Sequence, residues 1–161
     1  MNAELALLLR GIDEAFDRKS WHGTNLRGSL RGVSAAEAGW RVAPGRHSIQ
    51  EIVLHCAYWK YAARRRILGE KRGKFPLKGS NWFNRTGGTD QLAWREVVRL
   101  LDSEHAHLHQ AVAGLRGRRP DGRLPGSSVT LEHLLRGIAA HDLYHAGQIQ
   151  LLKRLRRTRR A

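Results

Sequence analysis

Cysteine is nearly absent from this sequence, since Cys56 is the only one among 161 residues. A single thiol cannot form an internal disulfide, which excludes a disulfide framework and is typical of a protein from a reducing cytoplasm. No apolar run approaches the roughly 20 residues of a membrane-spanning helix. The first twenty residues lack a basic segment and a small-residue cleavage site, so they predict a helix and not a signal peptide. A cytoplasmic protein without a membrane partner is expected.

Acidic residues are also scarce, with 14 Asp and Glu against 29 Lys and Arg, for a formal net charge of +15. Six of the basic residues form one C-terminal basic run at 153–160. Such a charge suits contact with phosphate, so a nucleic-acid-binding module that uses this run is one alternative function. The basic runs contain almost no aromatic residues, however, and single-strand binders need these for base stacking. We expect one domain at 1–152 and a disordered basic tail at 153–161.

No segment alternates apolar and polar residues with the β-branched enrichment of a strand. Apolar residues recur instead at helical spacing, between breaks that are rich in Gly and Pro. Long helices are predicted at 2–19, 48–68, 89–115 and 130–156, with short helical pieces at 25–32 and 34–37. Four long amphipathic helices in a chain of this length predict an all-α four-helix bundle.

The fourth long helix carries two histidines on its apolar stripe, within the segment HDLYHAGQI at 141–149. The stripe predicted to face the core is Leu131, Leu134, Ile138, His141, His145, Gln148 and Leu152. His141 and His145 then share one helix face, with Cβ atoms about 5–6 Å apart. Buried imidazoles leave ring nitrogens unpaired at roughly 1–3 kcal/mol each. A shared metal ion would satisfy one nitrogen of each ring.

A third histidine, His55, lies on or beside the apolar stripe of the second long helix, between Ile52 and Trp59. A bundle could bring it level with His141 and His145. Three neutral imidazoles with open positions for water or substrate make a catalytic type of metal site, not a closed structural one. Imidazole suits Zn, Ni, Fe or Cu, and the spacing does not choose between them. The HExxH pattern of zinc proteases is absent, because Asp142 and not Glu follows His141.

Four residues near these histidines are candidates for lining a pocket, and for each of them plain helix packing is an equal alternative. The candidates are Tyr58 and Trp59 as walls, Gln148 as a hydrogen-bonding group that orients a substrate, and Tyr144 as a neighbour of a metal ligand. No residue is assigned a catalytic role.

Other positions leave two interpretations open. Asp142 either holds a ligand imidazole or faces solvent. His105 is either a fourth ligand or a histidine of the core. His22, in the turn after the first helix, could reach into a cavity, and the segment 71–88 is either a lid or a surface loop.

Three motifs together resemble the DinB-like superfamily, the group that also includes YfiT-like proteins. They are Trp21-His22-Gly23, the stretch SIQEIVLH that ends at His55 and is followed by Trp59, and HDLYHAGQI. The resemblance implies a bundle of up-down-down-up order and a divalent metal held by His55, His141 and His145. It also implies a homodimer and an activity that uses a low-molecular-weight thiol such as bacillithiol, mycothiol or glutathione. The strongly basic charge departs from the family's pattern.

The leading hypothesis is a metal-dependent transferase or hydrolase that acts on a small molecule, with Zn, Ni or Fe as the metal and a thiol as cosubstrate. Two alternatives are the nucleic-acid-binding module and a bundle whose metal only stabilises the core.

Overall fold

The computed structural model describes residues 3–73, 75–83, 90–115 and 117–159. Within these residues the chain forms six helices and no strand. The helices are α1 Ala3–Phe16, α2 Leu26–Ser29, α3 Ala35–Ala38, α4 Ile49–Leu68, α5 Gln91–Ala113 and α6 Leu131–Thr158. The all-α prediction is confirmed, and each helix lies within a few residues of its predicted position. Position 89, where α5 was predicted to open, lies outside the described residues. No helix in the described ranges is both long and apolar enough to cross a membrane.

Side-chain caps explain where the long helices begin. The Ser48 hydroxyl accepts a hydrogen bond from the Glu51 main-chain N–H, and the Glu51 carboxylate accepts one from the Ser48 N–H, which closes a reciprocal box before α4. Asp90 caps α5 and Thr130 caps α6 through one side-chain oxygen each. Gly69 ends α4 with a left-handed φ of 71°.

The long helices form a bundle in which α4 packs on α5 and α6, and α1 packs on α6 and α5. One apolar cluster joins the N-terminal parts of α4 and α5 to the C-terminal part of α6. A second cluster joins α1 and the N-terminal part of α6 to the C-terminal parts of α4 and α5. Thus α4 and α5 run parallel to each other and antiparallel to α1 and α6, which is the up-down-down-up order. The parallel pair needs a long connection, at residues 69–90.

The C-terminal basic run is part of the bundle. Helix α6 continues through the run to Thr158, and both Lys153 and Arg156 are buried. Lys153 Nζ donates to the main-chain carbonyls of Ser29 and Arg31, at 2.9 Å each. The disorder expected from residue 153 is therefore wrong for 153–158, because Lys153 lies at helical spacing in α6 and its amine binds a carbonyl of α2 and one of the turn that follows α2. Residues 160 and 161 lie outside the described residues. Two of the basic residues that prompted the nucleic-acid alternative are interior.

Lys153→Met is expected to destabilise the fold. The substitution would leave the carbonyls of Ser29 and Arg31 without their donor, and unpaired buried polar groups cost roughly 1–3 kcal/mol each. We expect a lower urea midpoint for this variant, whereas Arg154→Met, at an exposed position of α6, should change the free energy of unfolding by no more than about 0.5 kcal/mol. Equal midpoints for the two variants would contradict a structural role for Lys153.

Candidate metal centre

Helices α4 and α6 bring three imidazoles together between them. His141 Nε2 lies 3.0 Å from His55 Nε2 and 3.2 Å from His145 Nε2. His55 and His145 are buried, whereas His141 is partly exposed. One nitrogen of each ring lies within 4.8 Å of the other two, so this cluster could hold a metal ion. We call His55, His141 and His145 the histidine cluster.

The spacing of these nitrogens fits ligands that share one ion. Metal–nitrogen bonds of about 2.0–2.1 Å place neighbouring ligand atoms about 3.4 Å apart at tetrahedral angles and about 2.9 Å apart at octahedral angles. The observed separations of 3.0 and 3.2 Å fall between these two values. The donor set is nitrogen only, which favours a transition metal or zinc over magnesium or calcium.

Hydrogen bonds on the far side of two rings set their tautomers. His55 Nδ1 lies 2.9 Å from the main-chain carbonyl of Asn81, which can only accept, so Nδ1 carries the proton. His145 Nδ1 lies 2.7 Å from Gln148 Oε1 and donates to it. In both rings the Nε2 lone pair is therefore left pointing into the histidine cluster. Gln148, a candidate for orienting substrate, has its amide oxygen engaged by His145.

Burial keeps the imidazoles in the form that binds metal. Desolvation is the main cause that lowers the pKa of His55 to about 4 and that of His141 to about 3, and the nearby His145 lowers both further. The pKa of His145 is also lowered, again mainly by burial. All three rings are therefore neutral near pH 7 and keep a lone pair for a ligand bond.

Asn81 and Trp82, from the connection between α4 and α5, cover one side of the histidine cluster. The Trp82 ring stacks on His55 at 3.9 Å and on His47 at 3.6 Å. Asn81 also accepts from the Trp59 indole N–H at 3.0 Å. Its φ of 67° is left-handed, a conformation that Asn adopts more readily than most residues. Residues 74 and 84–88 of the segment predicted as lid or loop lie outside the described residues.

A buried ion pair lies between the two apolar clusters. Lys60 Nζ donates to Asp142 Oδ2, and both side chains are 0% exposed. Lys60 also lies 4.8 Å from the centre of the Phe16 ring, which favours the cation further. The interpretation in which Asp142 faces solvent is therefore wrong.

Near the middle of α6, the residues that face the core lie one position later in the sequence than the predicted apolar stripe. Asp142 and Ile149 occupy buried positions there, while His141 and Gln148 lie at the edge of the buried face. The displacement leaves one histidine of the cluster open toward solvent. Lys60 is not among the residues predicted for this region, although its place four residues after Cys56 on the same helix face indicates a position near the core.

The pocket candidates lie at different distances from the histidine cluster. The Trp59 ring lies 6.3 Å from the rings of both His55 and His141. Tyr144 contacts the His145 ring at 5.0 Å but is 64% exposed. Tyr58 contacts Trp59 and an aromatic group formed by Tyr61, Phe75 and Phe83. His22 is exposed in the turn after α1.

His105 is a core histidine and not a fourth member of the histidine cluster. Its ring stacks on Phe16 at 3.7 Å, and its Nε2 lies 3.5 Å from Asp13 Oδ1. Burial, followed by the nearby Lys60 charge, lowers its pKa to about 3.

The free energy of unfolding of the metal-free protein should decrease as the pH drops below about 6.5, partly because of His105. The unfolded chain takes up a proton at this residue near pH 6.5, whereas the folded chain stays neutral down to about pH 3, so acid favours unfolding. The histidine cluster contributes in the same direction. One such proton changes the free energy of unfolding by about 1.4 kcal/mol per pH unit.

We therefore expect His105→Leu to reduce the slope of the free energy of unfolding against pH between about pH 6 and pH 4. The reduction should correspond to the uptake of up to one proton, and urea unfolding followed by circular dichroism measures it. His107→Leu, at an exposed position of α5, should keep the wild-type slope. An unchanged slope for His105→Leu would contradict a neutral buried His105.

A family model described as the DinB superfamily matches residues 19–149, which is more than three quarters of the chain and includes all three histidines of the cluster. No curated protein and no solved structure matches at a significant level. The matched range and the helical bundle agree, and the chain belongs to the DinB superfamily.

Proposed function

We propose that the histidine cluster binds one divalent metal ion and that the protein is a metal-dependent enzyme acting on a small molecule. The observation that supports this is the convergence of three Nε2 atoms at 3.0 and 3.2 Å, with two rings oriented from behind by Asn81 and Gln148. When bound, a divalent metal with an open position would lower the pKa of a water or thiol ligand and so supply a nucleophile near neutral pH. Zn, Ni and Fe all suit three imidazoles.

A low-molecular-weight thiol suits this site better than water as the nucleophile. Among the described residues, the carboxylate next to the histidine cluster is Asp142, and Lys60 already pairs with it. General-base help is therefore limited. A thiol, with a pKa of about 8.5 against about 15.7 for water, needs less of that help to ionise. We therefore favour a transferase over a hydrolase.

A cavity of about 410 Å³ between α4 and the connection that follows it would hold the rest of such a molecule. Its lining ends at Ser80, immediately before Asn81. It is lined by Tyr58, Tyr61 and Arg65 of α4 and by residues 72, 73 and 75–80, including Arg72, Phe75 and Lys78. Three lining residues are basic and no described lining residue is acidic, so the cavity suits a carboxylate or another anionic group.

The proposed function is tested with metal-loaded protein. The protein is loaded with Zn, Ni or Fe in turn, and consumption of glutathione is followed in the presence of an alkylating electrophile. We expect metal-dependent consumption that His145→Ala abolishes and that His133→Ala, at an exposed position of α6, retains. Metal binding without any thiol consumption or thiol binding would favour the alternative in which the metal only stabilises the bundle.

A further inference from the structure

Two of the three clustered histidines have an acceptor behind the ring, and the third has none in direct contact. Asn81 accepts from His55, and Gln148 accepts from His145. His141 Nδ1 is buried and makes no hydrogen bond, and the same is true of Asp142 Oδ1. Unpaired buried polar atoms are rare in folded proteins, and each one calls for an explanation.

The two unpaired atoms belong to groups that lie close together. A ring nitrogen of His141, a carboxylate oxygen of Asp142 and the Cys56 sulfur lie within 4.8 Å of one another. That separation spans either a direct hydrogen bond after a small side-chain rotation or one bridging water. Of the two neighbours, the carboxylate is the strong acceptor, because a thiol sulfur accepts weakly. His141 Nε2 already faces the other two histidines, which leaves Nδ1 for Asp142.

We propose that Asp142 is a positioning residue for His141. Asp142 Oδ1 accepts from His141 Nδ1–H, directly or through one water, which turns the Nε2 lone pair toward the metal. Lys60 holds Oδ2 and so fixes the carboxylate in place. The three imidazoles would then each be oriented by a different kind of acceptor: a main-chain carbonyl, an amide and a carboxylate. This inference rests on the proposed metal binding.

The burial of the ion pair supports a role beyond stability. Both Lys60 and Asp142 are wholly buried, and a buried ion pair is often no more stabilising than apolar residues of the same size. A purely structural role therefore explains the pair poorly. A carboxylate that orients a ligand imidazole typically changes metal affinity about 10–100-fold.

Two double variants separate positioning from stability. Lys60→Met/Asp142→Asn and Lys60→Met/Asp142→Leu both remove the two charges, so neither leaves a buried charge unpaired. Asn keeps a side-chain oxygen that can accept from His141, whereas Leu does not. Zinc affinity is measured by competition with a chromophoric chelator, and the melting temperature of each metal-free variant is recorded as the control for folding.

We expect the Leu double variant to bind zinc about 10–100-fold more weakly than the Asn double variant, without a lower metal-free melting temperature. Equal zinc affinities in the two would overturn the positioning role. A wild-type protein that binds no metal would overturn the proposed function instead. If Leu at 142 prevents folding, Lys60→Met/Asp142→Ala takes its place, because Ala also lacks the oxygen.

Discussion

Replacing Lys60 by Met is expected to lower the free energy of unfolding by about 3–5 kcal/mol, because it breaks a buried ion pair from one side. Asp142 is 0% exposed and would have to remain charged without a partner or take up a proton. Burial already raises the pKa of Asp142, and the Lys60 charge lowers it. The pKa is raised even with Lys60 in place, and without Lys60 it would rise further above that of the unfolded chain. The destabilisation should therefore grow as the pH rises above about 4.

Urea unfolding at mildly acidic and mildly alkaline pH measures this effect. Arg66→Met removes a positive charge from an exposed position of the same helix and is the matched control, with an expected change of no more than about 0.5 kcal/mol. Lys60→Met/Asp142→Leu should recover most of the loss, because both charges are then gone. A Lys60→Met protein as stable as the Arg66→Met control would show that the interior tolerates an unpaired Asp142, contrary to this account.

Adding a divalent metal is expected to raise the melting temperature of the wild-type protein. A ligand that binds only the folded state at about 100 times its Kd stabilises by about 2.7 kcal/mol. For a chain of this size that corresponds to a rise of roughly 5–10 °C. His55→Ala, His141→Ala and His145→Ala should each lose most of this gain, because two imidazoles bind a metal far more weakly than three.

Differential scanning fluorimetry with and without zinc, nickel or iron provides the comparison. His133→Ala is the control for removal of a histidine from α6, and it should keep the full metal-dependent rise. The same rise in wild type and in His145→Ala would contradict binding at the histidine cluster, because the metal would then bind elsewhere. A chelator should return the wild type to its metal-free melting temperature.

The sequence predicted the fold and the members of the histidine cluster because both depend on helical periodicity. Apolar spacing located the four long helices, and the i, i+4 pair His141 and His145 had to share a helix face. His55 lies on or beside the apolar stripe of α4, and its position along that helix allows a bundle to bring it level with the pair. The superfamily resemblance was confirmed, and the bundle has the order that it implied.

The groups behind the imidazoles could not be predicted, because they depend on side-chain direction and loop conformation. Asn81 holds His55 through a main-chain carbonyl, which no residue type specifies, and it does so with a left-handed φ. The sequence allows Asp142 either to face solvent or to hold a ligand imidazole, since a displacement of one residue in the apolar stripe of α6 decides between the two. Residue type alone does not predict a buried Lys60, because lysine is seldom buried unless a partner such as Asp142 pairs with it.

The C-terminal basic run is a second place where a prediction from residue type was wrong. Composition alone predicted disorder from residue 153, since charged runs usually lie in solvent. The run nevertheless keeps helical spacing, and the long side chain of Lys153 reaches two main-chain carbonyls. Charge content therefore gave the wrong boundary, while periodicity would have extended the helix.

The metal content of purified protein, measured by elemental mass spectrometry, tests the central claim most directly. Wild type, His55→Ala, His145→Ala and the control His133→Ala are purified in parallel and reloaded with zinc, nickel or iron. The account predicts about one divalent ion per chain in wild type and His133→Ala, and a loss of that ion in the other two variants. A wild-type protein that retains no metal after reloading, or a His145→Ala protein that retains a full equivalent, would contradict it.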